Sequence, residues 1–170
     1  MFMNNKKTLQ NVFMPEFAND MIPTKIMSIK LSRLQALIWN KVTGKLTSVP
    51  IKGTPHYKFI KQYQENANFN YHMTDYYEYA QRYLNVENSV KKFIELYHEM
   101  TNKGYRFGEY RNHFCLVYRR VPIGRYKVYD GLHRLAIIEA IDIRQIEVAL
   151  LKSKTNWLLR LLRRLNRWFK

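Results

Sequence analysis

An α+β fold, a small mixed sheet flanked by helices, is the class that the sequence predicts, and three observations predict it. Apolar residues recur at helical spacing through much of the first two thirds of the chain. The last third switches to a looser alternation of the kind that suits strands. Between two of those strands lies a glycine turn that opens directly into a short apolar helix.

The elements follow in order. Residues 1–27 read as irregular, with Pro15 and Pro23 interrupting any long helix. Over residues 28–42, Ile29, Leu31, Leu34, Leu37 and Ile38 suit an amphipathic helix, with Ser28 as its N-cap and Gly44 as its stop. Residues 46–51 read as a short edge strand, because Pro50 has no N–H to give a central ladder. Thr54 then caps a helix with Pro55 at its first position, and Tyr57, Phe59, Ile60 and Tyr63 follow. Thr74 and Asp75 open a short helix through Tyr83, and a longer one runs from about Asn88 to Asn102, closed by Gly104. Residues 113–119 and 125–129 form a hairpin around the turn at 122–125. After Asp130 and Gly131 come an apolar helix and a buried-looking strand at 146–151. The chain divides into an N-terminal segment and helix at 1–45, a domain at 46–151 and a tail at 152–170.

A chain of 170 residues is long enough for one domain with a real core. The only cysteine, Cys115, excludes an internal disulfide and a cysteine-built zinc site. Residues 1–9 carry Lys6 and Lys7 without an apolar segment behind them, so no signal peptide is expected. No apolar run reaches the length of a membrane span, and a cytoplasmic setting is the default. The charge is unusual: 29 basic residues against 13 acidic ones give +16. Such a balance favours a polyanionic partner, whether nucleic acid, an anionic membrane surface or a phosphorylated substrate.

The chemistry concentrates at residues 126–136. A strand that ends in a glycine turn and feeds a helix directs the helix's unpartnered N–H groups and its dipole at one point, which makes an anion site. Gly131 permits a close backbone approach or a positive φ. His133 and Arg134 sit in the first turn, where imidazolium and guanidinium can add charge-assisted bonds to phosphate. Cations are disfavoured there by the dipole, and a bound anion supplies a reason for them. Asp130 faces the same mouth, as a base or as a ligand to a metal ion or substrate hydroxyl. The plainer alternative makes Asp130 an N-cap, Gly131 a turn residue and His133–Arg134 a solvated first turn.

The run Tyr129-Asp130-Gly131-Leu132-His133-Arg134-Leu135-Ala136, with its helix and the strand Ile146-Glu147-Val148, resembles the ParB/sulfiredoxin superfamily. Members carry a Gly-x-[His/Arg]-Arg turn in this place, commonly as Asp-Gly-x-His-Arg. The resemblance covers about residues 86–151, and more weakly residues 46–63. It implies a nucleotide site at Gly131, Leu132, His133 and Arg134, with ATP, ADP or CTP as the nucleotide and magnesium as an optional companion. Sulfiredoxins place their reactive cysteine directly before the His-Arg pair, where this chain has Leu132, and Cys115 reads as a small core residue. ParB proteins follow the domain with a helix-turn-helix region, and this chain has only about 19 residues after Leu151. The turn is closest to that of the kinase-like members.

Thr54 and His56 mark a second strand–turn–helix junction that can lie across the pocket, Thr54 donating to phosphate and His56 acting on substrate; the alternative is a capped helix start. Glu109 is the first acidic residue to consider as general base, beside Asp130 and His133 as candidate catalytic groups. In residues 157–170, Leu158, Leu161, Leu162, Leu165, Trp168 and Phe169 share one helical face. Arg160, Arg163, Arg164, Arg167 and Lys170 share the other. That pattern suits an interfacial membrane helix; docking on the domain or on a second copy is the alternative. The function expected is a nucleotide-dependent phosphotransferase or hydrolase beside the inner face of a membrane. A non-catalytic nucleotide-gated DNA-binding module is the competing reading, and a fold with a dead site the third.

Overall fold

The computed structural model describes residues 12–83, 85–105, 114–119 and 124–154. Six strands and four α-helices follow in the order β1 (Met21–Lys30), β2 (Leu34–Asn40), β3 (Lys45–Pro50), α1 (Pro55–Glu65), α2 (Asp75–Tyr83), α3 (Val86–Lys103), β4 (Cys115–Arg119), β5 (Tyr126–Asp130), α4 (Leu132–Ala140) and β6 (Gln145–Ser153). The strands form one mixed sheet in the order β1-β6-β4-β5-β2-β3. Three antiparallel pairs, β1/β6, β4/β5 and β2/β3, are joined by the parallel contacts β6/β4 and β5/β2.

All four helices pack on one face of this sheet. Phe59 and Ile60 of α1, Tyr76 and Ala80 of α2, Val90, Phe93 and Met100 of α3 and residues 135–138 of α4 share a cluster with Leu34, Ala36, Cys115, Val117, Ile146 and Val148. The alternation of strand side chains sends Leu116, Ala149 and Leu151 to the opposite face, where Val12 and Phe114 join them. Among the described residues, no helix is long and apolar enough to cross a membrane.

The α+β class stands, but residues 28–42 are not a helix. They form the end of β1, a 3-10 turn at Leu31–Arg33, the whole of β2 and the start of the turn after it. The short turn puts Ile29, Leu31 and Leu34 on one side, which imitates helical spacing, while Leu34 and Ala36 are buried at the two-residue interval of a strand. Gly44 accordingly serves a hairpin turn, with φ 62°, rather than a helix end. Residues 21–27 are likewise regular strand, and Pro23 sits beside a register shift in the edge strand β1, where a missing N–H is tolerated. A division at residue 45 would cut the sheet, since β1 pairs with β6 and β2 with β5.

Other elements lie where local signals put them. β3 is an edge strand ending on Pro50. Thr54 caps α1, with Pro55 at its first position. Asn85 caps α3 and Gly104, at φ 71°, follows its last turn. The tail at 155–170 and Glu109 lie outside the described residues.

Candidate functional site

The turn between β5 and α4 is built around Gly131, which has φ 91° and ψ 20°. Side chains rarely adopt that left-handed conformation. Space forbids one as well: a Cβ here would lie 2.9 Å from Cys115 Sγ and 3.2 Å from Cys115 Cα. Cys115 is therefore the floor of the turn, and its thiol points at the Gly131 carbonyl, 3.8 Å away. Tyr105 Oη lies 3.9 Å from the same sulfur. Burial pushes the Cys115 thiol up, with Arg134 pulling the other way, which disfavours the thiolate.

Gly131 is the N-cap of α4 and brings no side chain to cap it. Helix geometry leaves the first-turn N–H groups at 132–134 without partners inside the helix. Leu132, at the first position, packs partly buried against the core. Asp130 stands at the end of β5 with its Oδ2 4.0 Å from Arg134 Nη2. The Arg134 side chain is mostly buried, and Asp130 is the more exposed of the two. A cation thus lies within the first turn of the helix, neutralised in part by the carboxylate before it.

His133 turns to the other side of α4. Its Nε2 shares a 2.8 Å hydrogen bond with Tyr76 Oη. Its ring meets Phe93 and His56 edge-on, each at 4.6 Å between centroids. Burial lowers its pKa from 6.5 to about 4, against the opposing pull of Asp130. That enclosure disfavours the imidazolium expected as a phosphate ligand, and leaves the backbone N–H of His133 as the group facing the turn.

Thr54 and His56 come to the same place, as the second position of α1 meets the second position of α4. His56 is only 1% exposed, and among the described residues its Nδ1 has no hydrogen-bond partner. Burial, then the neighbouring His133, holds its pKa well below 6.5. Rings of Tyr76, at 5.0 Å, and Tyr79, at 4.9 Å, complete the enclosure. Thr54 is fully buried. Its hydroxyl donates to Ile51 O at 2.7 Å and accepts from Tyr57 N at 3.2 Å, so both its capacities serve the bend into α1.

The turn thus brings Asp130, Gly131, Leu132, His133 and Arg134 together and sets His56 against them. Tyr76, Phe93 and Tyr105 were not legible as parts of this site. Tyr76 lies 57 residues before His133, and nothing local separates it from the other twelve tyrosines. Chemically, the uncapped turn suits an anion, while the two neutral histidines supply packing and hydrogen bonding rather than charge. Compared with protein-family models, with curated proteins and with solved structures, the chain has no match.

Proposed function

We propose that the protein binds the phosphates of a nucleotide, ATP, ADP or CTP, at the N-terminus of α4. The observation that carries this reading is the uncapped first turn behind Gly131, where a Cβ is excluded by both conformation and space. The N–H groups at 132–134 would hold phosphate oxygens, Arg134 would add a charge-assisted bond, and Asp130 would hold an accompanying magnesium ion or a substrate hydroxyl. The order of elements from α3 through β6 supports the ParB/sulfiredoxin-like reading of this turn. On that reading the protein transfers or hydrolyses a phosphoryl group beside a membrane surface reached by residues 157–170.

The competing reading, a nucleotide-gated DNA-binding module, is favoured by two observations: the enclosed His133 is a poor acid–base group, and the net charge of +16 suits a polyanion.

Titration calorimetry of the full chain with ATP, ADP and CTP, with and without magnesium, tests the shared step. Binding of at least one is expected, and Arg134→Gln should weaken it about tenfold or more through loss of a charge-assisted bond. Failure of all three nucleotides to bind at millimolar concentration would refute the reading. Release of inorganic phosphate or labelling of an acceptor then separates the enzyme from the DNA-binding module.

A further inference from the structure

The hairpin of β2 and β3 stands apart from the rest of the sheet. β2 pairs with β5 only through Leu34↔Tyr126 and Gln35↔Lys127, whereas its ladder with β3 continues to Asn40↔Lys45. The hairpin thus extends past its junction with the sheet as a two-stranded arm. Its inner face is anchored: Ala36 is buried and Ile38 packs against the core beneath the helices. Lys41 contacts Glu78 of α2, which ties the start of the turn to the helical layer.

The tip is built firmly. Asn40 Oδ1 accepts from Val42 N at 2.9 Å and from Thr43 N at 3.0 Å, and Gly44 N donates to Asn40 O at 2.9 Å. Yet this turn holds an apolar β-branched residue, Val42, 95% exposed. On the outer face, Trp39 and Leu46 are direct cross-strand partners, 41% and 61% exposed. A tryptophan, a leucine and a valine therefore share one projecting tip, flanked by Lys41 and Lys45. Turns ordinarily take polar residues.

The surrounding charge says what meets it. On β2, β3 and the turns that flank them there is no acidic residue, and there are four basic ones, Arg33, Lys41, Lys45 and Lys52, of which Lys41 pairs with Glu78 and Lys52 with Glu139. A second copy of this arm would oppose like charges. A nucleic acid would satisfy the lysines but leave Val42 and Leu46 in water, since a phosphate backbone offers them no burial. An anionic bilayer meets both demands, with acyl chains for the tip and headgroups for the lysines.

We propose that the β2–β3 tip inserts into the headgroup–acyl boundary of an anionic membrane, with Trp39, Val42 and Leu46 as the inserted residues and Lys45 at the headgroup level. Tryptophan is at home at that depth, with its ring in the boundary and its N–H in reach of water. This contact is independent of the nucleotide turn and of residues 157–170.

The test uses the full chain and sedimentation with vesicles of phosphatidylcholine containing about one third phosphatidylglycerol, against pure phosphatidylcholine. Partition onto the anionic vesicles is expected, and Val42→Asp should reduce it about tenfold, with Trp39→Ser/Leu46→Ser doing the same. Val42 is almost wholly in solvent, so Val42→Asp should keep the wild-type circular dichroism and melting temperature. In the Trp157→Phe/Trp168→Phe background, Trp39 emission should shift to the blue and be quenched by brominated lipid. Leu161→Glu/Leu165→Glu separates the tail's contribution: a loss confined to that variant overturns the tip while leaving the tail. Unchanged partition of Val42→Asp, or unchanged Trp39 emission at vesicle saturation, overturns the proposal. So does a solution dimer, or retention on single-stranded DNA, that Val42→Asp abolishes while vesicle binding persists. Nucleotide titration of Val42→Asp should match wild type, so the two sites fail or stand separately.

Discussion

Replacing Gly131 by alanine should be among the most damaging single-methyl additions this chain can receive. Two costs combine. Holding a non-glycine residue at φ 91° costs about 1–2 kcal/mol. The new Cβ would also press on Cys115, at 2.9 Å from Sγ and 3.2 Å from Cα, and overpacking of a filled site costs about 1–3 kcal/mol. Together the substitution should lower the unfolding free energy by about 2–5 kcal/mol, a large part of a typical domain's stability. Urea unfolding of the full chain, followed by circular dichroism, measures it as a fall in midpoint at constant slope. The origin is separable by a double-mutant cycle. In the wild-type background Cys115→Ala should cost about 1 kcal/mol by leaving a void. In the Gly131→Ala background the same change removes the closest atom and should be neutral or stabilising, the backbone contact and the φ cost remaining. A Gly131→Ala loss below about 1 kcal/mol, or a Cys115→Ala cost equal in both backgrounds, would refute the reasoning.

Two further outcomes follow from the same site. His133 has a folded pKa of about 4 against an ordinary 6.5, so between those values the unfolded chain takes a proton that the native one refuses. Its contribution is complete above pH 6.5 and should fall by about 3 kcal/mol as pH drops towards 4, with His56 acting in the same direction. Urea titrations from pH 7 to pH 4 should show a shallower decline for His133→Gln than for wild type, and parallel curves would count against an enclosed neutral imidazole. Thr54→Ala removes the cap of α1 and the bond to Ile51 O, and should cost about 1–2 kcal/mol, while Thr54→Ser keeps both bonds and should recover most of it. Thermal unfolding distinguishes the pair, and equal melting temperatures for the two variants would show that the hydroxyl is not what matters.

Features settled within a few residues were legible in the amino-acid sequence. Thr54–Pro55 announced the start of α1, Gly104 the end of α3, and the Gly131 turn was recognisable, because caps and positive-φ turns are satisfied by near neighbours, although the cap Asn85 stands three residues before the expected start of α3. Tertiary structure decided the rest. Residues 28–30 became strand through β6 and residues 34–35 through β5, partners from the other end of the chain, while residues 35–40 pair with the adjacent β3, and this pairing outweighs a weak local preference. Pattern alone could not announce that the tip between β2 and β3 would stand clear of the core. The charge state of His133 is likewise a tertiary quantity: desolvation by Tyr76, Phe93 and His56, from three different helices, keeps neutral an imidazole that its neighbours in sequence would leave free to ionise. Even Gly131, legible as a turn residue, owes its second constraint to Cys115, sixteen residues earlier on a neighbouring strand, because only packing brings that sulfur under the turn.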